Sequence, residues 1–273
     1  MSKLRILYVA SEINPFLQTS AVADFVRRIP QVMQEWGMEI RILVPRFGTI
    51  NERKNRLHEV VRLSGINISV GDEEKPLVIK VASIPNAKLQ VYFIDNEDYF
   101  HRKSVFLDVD NNFHSDNDER AIFFCKGVLE TVKKLGWAPH IVHCNDWMTA
   151  LIPMYLKTTY KKDPMFKDSK SVFTVYNNYF DHKFDSSMLD KIKMMDIDDN
   201  VLAPLKNHDF EGLLKVGVEY ADAVIKRHEQ YNSKLNEIFQ KLETNELKRV
   251  EKLDDEDENW AQNYMDLYYD LVR

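Results

Sequence analysis

The chain has 273 residues, 44% of them hydrophobic and 29% charged, with a formal net charge of −6. That length buries one large core, the balance of apolar and charged residues excludes a disordered chain, and nucleic acid is not an expected partner because no basic face would meet its phosphates. No apolar run approaches the roughly 18 residues of a membrane span, and no basic start leads into an apolar signal stretch, so no membrane partner is expected and the expected location is the cytoplasm.

Residues 4–10 read as a buried strand. Val22, Phe25, Val26, Ile29, Met33 and Trp36 then recur at the spacing of one helical stripe, with a kink expected at Pro30 and a stop at Gly37. Residues 40–45 are a second buried strand, so the chain opens with a βαβ unit. In such units the loop after the first strand, at the helix N-terminus, is the usual seat of a phosphate or sugar nucleotide. Here that loop, 11–20, contains no glycine.

Period-two runs follow at Val61 and Leu63, at Leu77, Ile79 and Val81, and at Leu89, Val91 and Phe93. Gly65, Gly71 and Pro85 punctuate them, and they predict antiparallel or mixed strands beside a parallel sheet. A helix over 119–135, a strand over 141–144, a helix over 147–160, a strand over 171–176, a helix over 212–220 and a short strand over 223–225 resume the alternation. Cys125 and Cys144 have no ligand spacing and read as reduced core thiols. His143 reads as a strand histidine rather than a base. His101, His114, His182, His208 and His228 show no metal-binding pattern, so neither metal nor cofactor is expected.

Beyond 230 the chain turns into a charged helical stretch, then an acidic run over 254–258, then an aromatic segment. Residues 241–273 carry five basic and ten acidic side chains, hence −5 of the total charge. Trp260, Tyr264, Leu267, Tyr268 and Leu271 share one helical face and predict a docking stripe rather than an exposed partner helix. The expected organisation is an α/β domain over 1–240, an acidic linker over 241–258, and a helix over 259–273 that packs back on the domain. The fold class is α/β: a doubly wound, mainly parallel Rossmann-like sheet with inserted extra strands.

The order of several segments resembles the glycogen and bacterial starch synthases, retaining glucosyltransferases that extend α-1,4-glucan from ADP-glucose. Val9-Ala-Ser-Glu12, Pro15-Phe16 and Gln18-Thr-Ser-Ala-Val-Ala-Asp24 align with that family's opening, which continues K-T-G-G-L to an aspartate. Tyr92-Phe-Ile-Asp95, Asp116-Asn117 with Glu119-Arg120, and Gly136-Trp137-Ala-Pro139 follow in family order. His143-Cys-Asn-Asp-Trp-Met-Thr149 is similar to H-C-H-D-W-H-T, and Phe173-Thr-Val-Tyr-Asn177 to F-T-I-H-N. Leu214-Lys-Val-Gly217 with Tyr220-Ala-Asp-Ala-Val224 completes the series, and 260–272 resembles the family's extreme C-terminus. The resemblance implies one domain of the two-domain glycosyltransferase-B architecture, with the second Rossmann domain lost from between the flanks.

Departures fall where the family places its chemistry. Gln18 stands for the loop lysine and Ser20-Ala21 for two glycines, so the cation and the open backbone cradle for the donor phosphates are replaced. Asn145 and Tyr176 stand for two histidines, and Arg227-His228-Glu229 follows where V-S-P is expected. The degenerate ligand site implied by the resemblance comprises Glu12, Gln18, Thr19, Ser20, Asp24, Asn145, Asp146, Trp147, Tyr176 and Asn177. Gln18, Thr19 and Ser20 either bind a sugar hydroxyl or simply cap the first helix; Trp147 either stacks on a sugar or packs. The expected function is a synthase-like protein without independent transferase activity, taking an α-glucan, a sugar nucleotide or a partner enzyme of glycogen metabolism. The alternatives are an active glucosyltransferase completed by another chain, and an unrelated use of the scaffold.

Overall fold

The computed structural model describes residues 3–193, 197–227, 231–243, 249–253 and 257–273. Its strands are β1 Arg5–Val9, β2 Glu39–Pro45, β3 His58–Glu59, β4 Ile66–Val70, β5 Glu73–Ser83, β6 Gln90–Asp95, β7 Ile141–Asn145, β8 Lys170–Val175, β9 Ala223–Lys226 and β10 Arg249–Lys252. The helices are α1 Ala21–Glu35, α2 Glu52–Asn55, α3 Glu97–Phe100, α4 Asn117–Leu135, α5 Leu151–Lys157, α6 Met188–Ile192, α7 Asp199–Leu202, α8 Phe210–Tyr220, α9 Ser233–Glu243 and α10 Trp260–Val272.

The strands form one sheet in the order β10-β9-β8-β7-β1-β2-β6-β5-β3, with β4 paired to β5. From β10 to β6 every neighbouring pair is parallel, while β5 runs antiparallel to β6, β3 and β4. The doubly wound parallel sheet with added antiparallel strands is therefore present. Its central strands are apolar on both faces because helices cover both; all five residues of β7 are buried. The strand order reverses on either side of β1, and the loops after β1 and β7 open side by side at the C-terminal edge, where α/β sheets place ligands.

Helix α1 begins at Ser20, whose hydroxyl accepts the Val22 N–H, and ends where Gly37 takes φ +90°. Pro30 sits buried within its unbroken run. Gly217 in α8 is required by packing, since a Cβ there would lie 2.8 Å from the Phe173 ring. Cys125 and Cys144 are buried free thiols, and burial pushes both up in pKa, Cys125 above the usual thiol range.

Helix α10 lies on the α1 side of the sheet and buries Ala261, Tyr264, Leu267 and Tyr268. The Tyr264 ring stands 5.2 Å from Phe25, and the Arg28 guanidinium lies 4.6 Å over Trp260. The Tyr268 hydroxyl reaches the heart of the sheet, 2.7 Å from His143 Nδ1 on β7 and 3.2 Å from the Tyr8 hydroxyl on β1. His143 Nε2 is engaged by the Thr174 hydroxyl at 2.7 Å. Both imidazole nitrogens are thus satisfied, and burial drives the pKa down to about 3, with the Arg227 charge adding to the fall. A neutral, locked imidazole agrees with a structural role for His143.

Several local expectations need correction. Val61 and Leu63 lie in a turn, with Val61 77% exposed, and the strand instead spans Ile66–Val70. Two alternating residues are too short a pattern to separate a strand from a turn that tucks one side chain inward. Trp36 leaves the buried stripe: it is the C-cap of α1 and 46% exposed. The helix expected over 147–160 is a 3-10 turn at Trp147–Thr149 followed by the seven-residue α5. Within the stretch read as a linker, Arg249–Lys252 forms an edge strand parallel to β9, its charged residues tolerated by the open edge. Asp254, Asp255 and Glu256 of the acidic run, and His228 and Glu229, lie outside the described residues.

Candidate functional site

The loop after β1 folds back on its own acid. Glu12, on 2% exposed surface, accepts the Thr19 N–H, the Thr19 hydroxyl at 2.9 Å and the Ser20 hydroxyl. The donors that open α1 are therefore already aimed at a carboxylate. Outside this clasp, the Gln18 side-chain amide donates to Asp24 at 2.8 Å, and Asn14 donates to Asp24 at 2.9 Å and to Gln18 at 3.3 Å. Asp24 is held by two amides and Gln18 by both neighbours, which makes this trio a surface cap of the loop.

After β7 the chain makes a tight reversal at Asp146, whose φ of +68° is a backbone region that favours glycine. The carboxylate holds the conformation: it accepts the N–H and hydroxyl of Ser11 and the Met148 N–H at 2.8 Å. Asp146 thereby ties the β7 loop to the β1 loop across the switch point. Burial pushes its pKa up to about 7, the Ser11 and Met148 hydrogen bonds pull the other way, and the Glu12 charge adds to the rise.

Because this folded pKa lies above the ordinary 3.8, the folded state keeps a proton that the unfolded chain releases first, and stability falls as pH rises from about 4 to about 7. We expect Asp146→Asn to remove that loss. Relative to the parent, the variant should gain up to about 1.4 kcal/mol per pH unit over this window, read from urea unfolding at several pH values. A constant difference across the window would show that Asp146 does not titrate there.

A cavity of about 440 Å³ opens at this edge between the two loops. Ser11, Glu12, Thr19 and Ser20 form its polar side, and Phe106, Phe113, Trp147 and Phe180 an aromatic wall. The Trp147 indole lies 4.9 Å from the Phe106 ring and 5.2 Å from Phe180, so it packs and lines the cavity at once. His182 stacks flat on Phe113 at 5.2 Å, and Asn178 completes the mouth. Among the described residues no lysine or arginine lines the cavity.

Of the residues proposed from sequence, Glu12, Thr19, Ser20 and Trp147 meet in the cavity wall, with Asp146 directly behind them. Asn145 and Tyr176 do not line it. They form a buried pair, the Tyr176 hydroxyl donating to Asn145 Oδ1 at 3.0 Å while the Asn145 amide reaches the carbonyls of Val9 and His143. Gln18 and Asp24 face solvent beside the loop, and Asn177 is exposed, its neighbour Asn178 taking the place at the cavity. Sequence reasoning missed Phe106, Phe113, Phe180 and His182 because irregular segments supply them. It also missed Arg227, a cation on this edge whose guanidinium lies 4.4 Å over Phe25 and 5.2 Å over Tyr176, away from the cavity wall.

A doubly wound, mainly parallel sheet with a cavity at its switch point defines this chain as a Rossmann-like α/β domain. Residues 5–249 match the family model of the starch synthase catalytic domain. The glycogen synthase of Chlorobium limicola is 42% identical over 219 residues, covering 80% of this chain and 44% of that protein. The glycogen synthase of Pelodictyon phaeoclathratiforme is 39% identical over 248 residues, covering 90% of this chain and 50% of that one. The catalytic domain of starch synthase IV from Arabidopsis thaliana, solved bound to ADP and acarbose, superposes with a TM-score of 0.72 at 17% identity, over 91% of this chain and 51% of that one. The chain belongs to the glycogen and starch synthase family, and it spans about half the length of the relatives it matches. No described helix is long and apolar enough to cross a membrane.

Proposed function

We propose that this chain binds a neutral α-glucan in the cavity between the β1 and β7 loops and, alone, transfers no glucose, serving as a glucan- or partner-binding module of storage-polysaccharide metabolism. The observation that carries this reading is the chemistry of the wall: hydroxyls, an amide, one carboxylate and four aromatic rings beside His182, with no lysine or arginine among the described residues. Aromatic faces and hydroxyl partners suit a sugar ring, whose C–H faces are apolar and whose edge is polar. A diphosphate would instead meet the Glu12 carboxylate, already accepting the donors at the start of α1. Like charge opposes a phosphate rather than holding it.

Titration with maltohexaose, followed by amide NMR, should shift Thr19, Ser20, Trp147 and Asn178, and ADP should not. Shifts from ADP at these amides, or none from the oligosaccharide at millimolar concentration, would remove the reading. The family match over 5–249 to a catalytic domain favours a second reading, a glucosyltransferase completed by a separate nucleotide-binding chain. Co-purification of such a chain with this one, and transferase activity of the pair, would select it.

A further inference from the structure

A second cleft, of about 630 Å³, lies between α2 and the β5–β6 connection, and Lys54, Arg56 and His58 line it together with Phe16, Ile84 and Pro85. No acid among the described residues lines it. Among the described residues neither Lys54 nor Arg56 is paired with a carboxylate, although the chain as a whole carries −6. The acids flanking these residues in sequence lie off the cleft wall: Glu52 is committed to Arg46 and to Lys80 at 2.7 Å, and Glu59, next to His58, is not among the lining residues. A further cation, Arg27, reaches the rim, donating to the Pro85 carbonyl at 3.3 Å.

The backbone adds to the case. Arg56 ends α2 at φ +55°, a position usually given to glycine or asparagine. The turn thus carries an arginine side chain at the cleft in a backbone region that favours glycine. Phe16, Ile84 and Pro85 supply the apolar part of the same lining.

We propose that this cleft binds a phosphate monoester carried on a small organic body, with the phosphate on Lys54, Arg56 and His58 and the body against Phe16 and Pro85. A phosphate offers three acceptor oxygens and close to two negative charges, which suits convergent donors that lack a counter-ion. The site goes beyond the glucan reading and differs from it in charge, although Phe16 belongs to the same 11–20 loop that carries Thr19 and Ser20.

The test is amide NMR titration of the full chain with ribose 5-phosphate, inorganic phosphate and ribose. Ribose 5-phosphate should shift amides within 52–58 and 83–86, more tightly than inorganic phosphate and with ribose silent, and rising salt should weaken it. The double variant Lys54→Gln, Arg56→Gly should lose about tenfold or more in affinity, as expected for removing charge-assisted hydrogen bonds. It should keep its melting temperature, because glycine relieves the backbone at 56. Equal affinity in parent and folded variant would overturn the proposal, as would silence of these amides at millimolar ribose 5-phosphate. Shifts at Thr19 and Trp147 instead would overturn it and count against the neutral-ligand reading of the first cavity as well.

Discussion

The purified chain should incorporate no labelled glucose into glycogen from ADP-glucose or UDP-glucose. Transfer requires that charge developing on the departing nucleotide be met in the transition state, and loss of one preorganised donor of this kind costs roughly 10²- to 10³-fold. Here the loop that would meet it presents Gln18, turned to Asp24, and a Glu12 carboxylate holding the Thr19 and Ser20 donors. Restoring the loop with Gln18→Lys, Ser20→Gly and Ala21→Gly should leave the chain inactive. Asn145 and Tyr176 stay closed on one another, away from the loop. Such losses do not add simply, so the triple variant tests whether the loop alone was limiting. Turnover by the parent chain, free of contaminating synthase, would sink the proposal.

Ending the chain after Leu253 should lower the melting temperature by several degrees or more. The deletion removes Tyr264, Leu267 and Tyr268 from buried positions, each contributing about 1.5–3 kcal/mol, and a chain of this size loses roughly 2–4 °C per kcal/mol. It also uncovers His143 and Tyr8. Tyr268→Phe separates the polar part, since it keeps the ring and leaves His143 Nδ1 without its partner at about 1–3 kcal/mol. An unchanged melting temperature after truncation would mean that α10 contributes nothing to the body.

The parts of the fold that were legible in sequence are those where periodicity and burial coincide. The strand at 4–10, the stripe through Val22, Phe25, Val26, Ile29 and Met33, and the later βα rhythm each pair a repeat with a core face. Errors arose where a few residues imitate a period. Val61 and Leu63 alternate by chance in a turn, and Trp36 continues the arithmetic of α1 one residue past its end. The strand Arg249–Lys252 was hidden because its sheet pairing is made by backbone, while its side chains read as a charged surface. Among the site residues, Glu12, Asp146 and Trp147 follow strand ends and Thr19 and Ser20 precede α1, all places that the βα pattern locates. Phe106, Phe113 and Phe180 arrive from irregular loops whose positions are set by tertiary packing, so no local repeat points to them.

The bond between the Tyr268 and Tyr8 hydroxyls joins residues 260 positions apart. At translation rates of about 5–20 residues per second, β1 emerges roughly ten seconds to a minute before the group that closes its slot. During that interval the polar edge of His143 and the ring of Phe25 face an empty berth, an apolar surface with embedded polar atoms that a nascent-chain chaperone would recognise. A released chain ending at Asn259 should therefore hold an assembled but unsealed sheet, more readily cut by protease than the full chain.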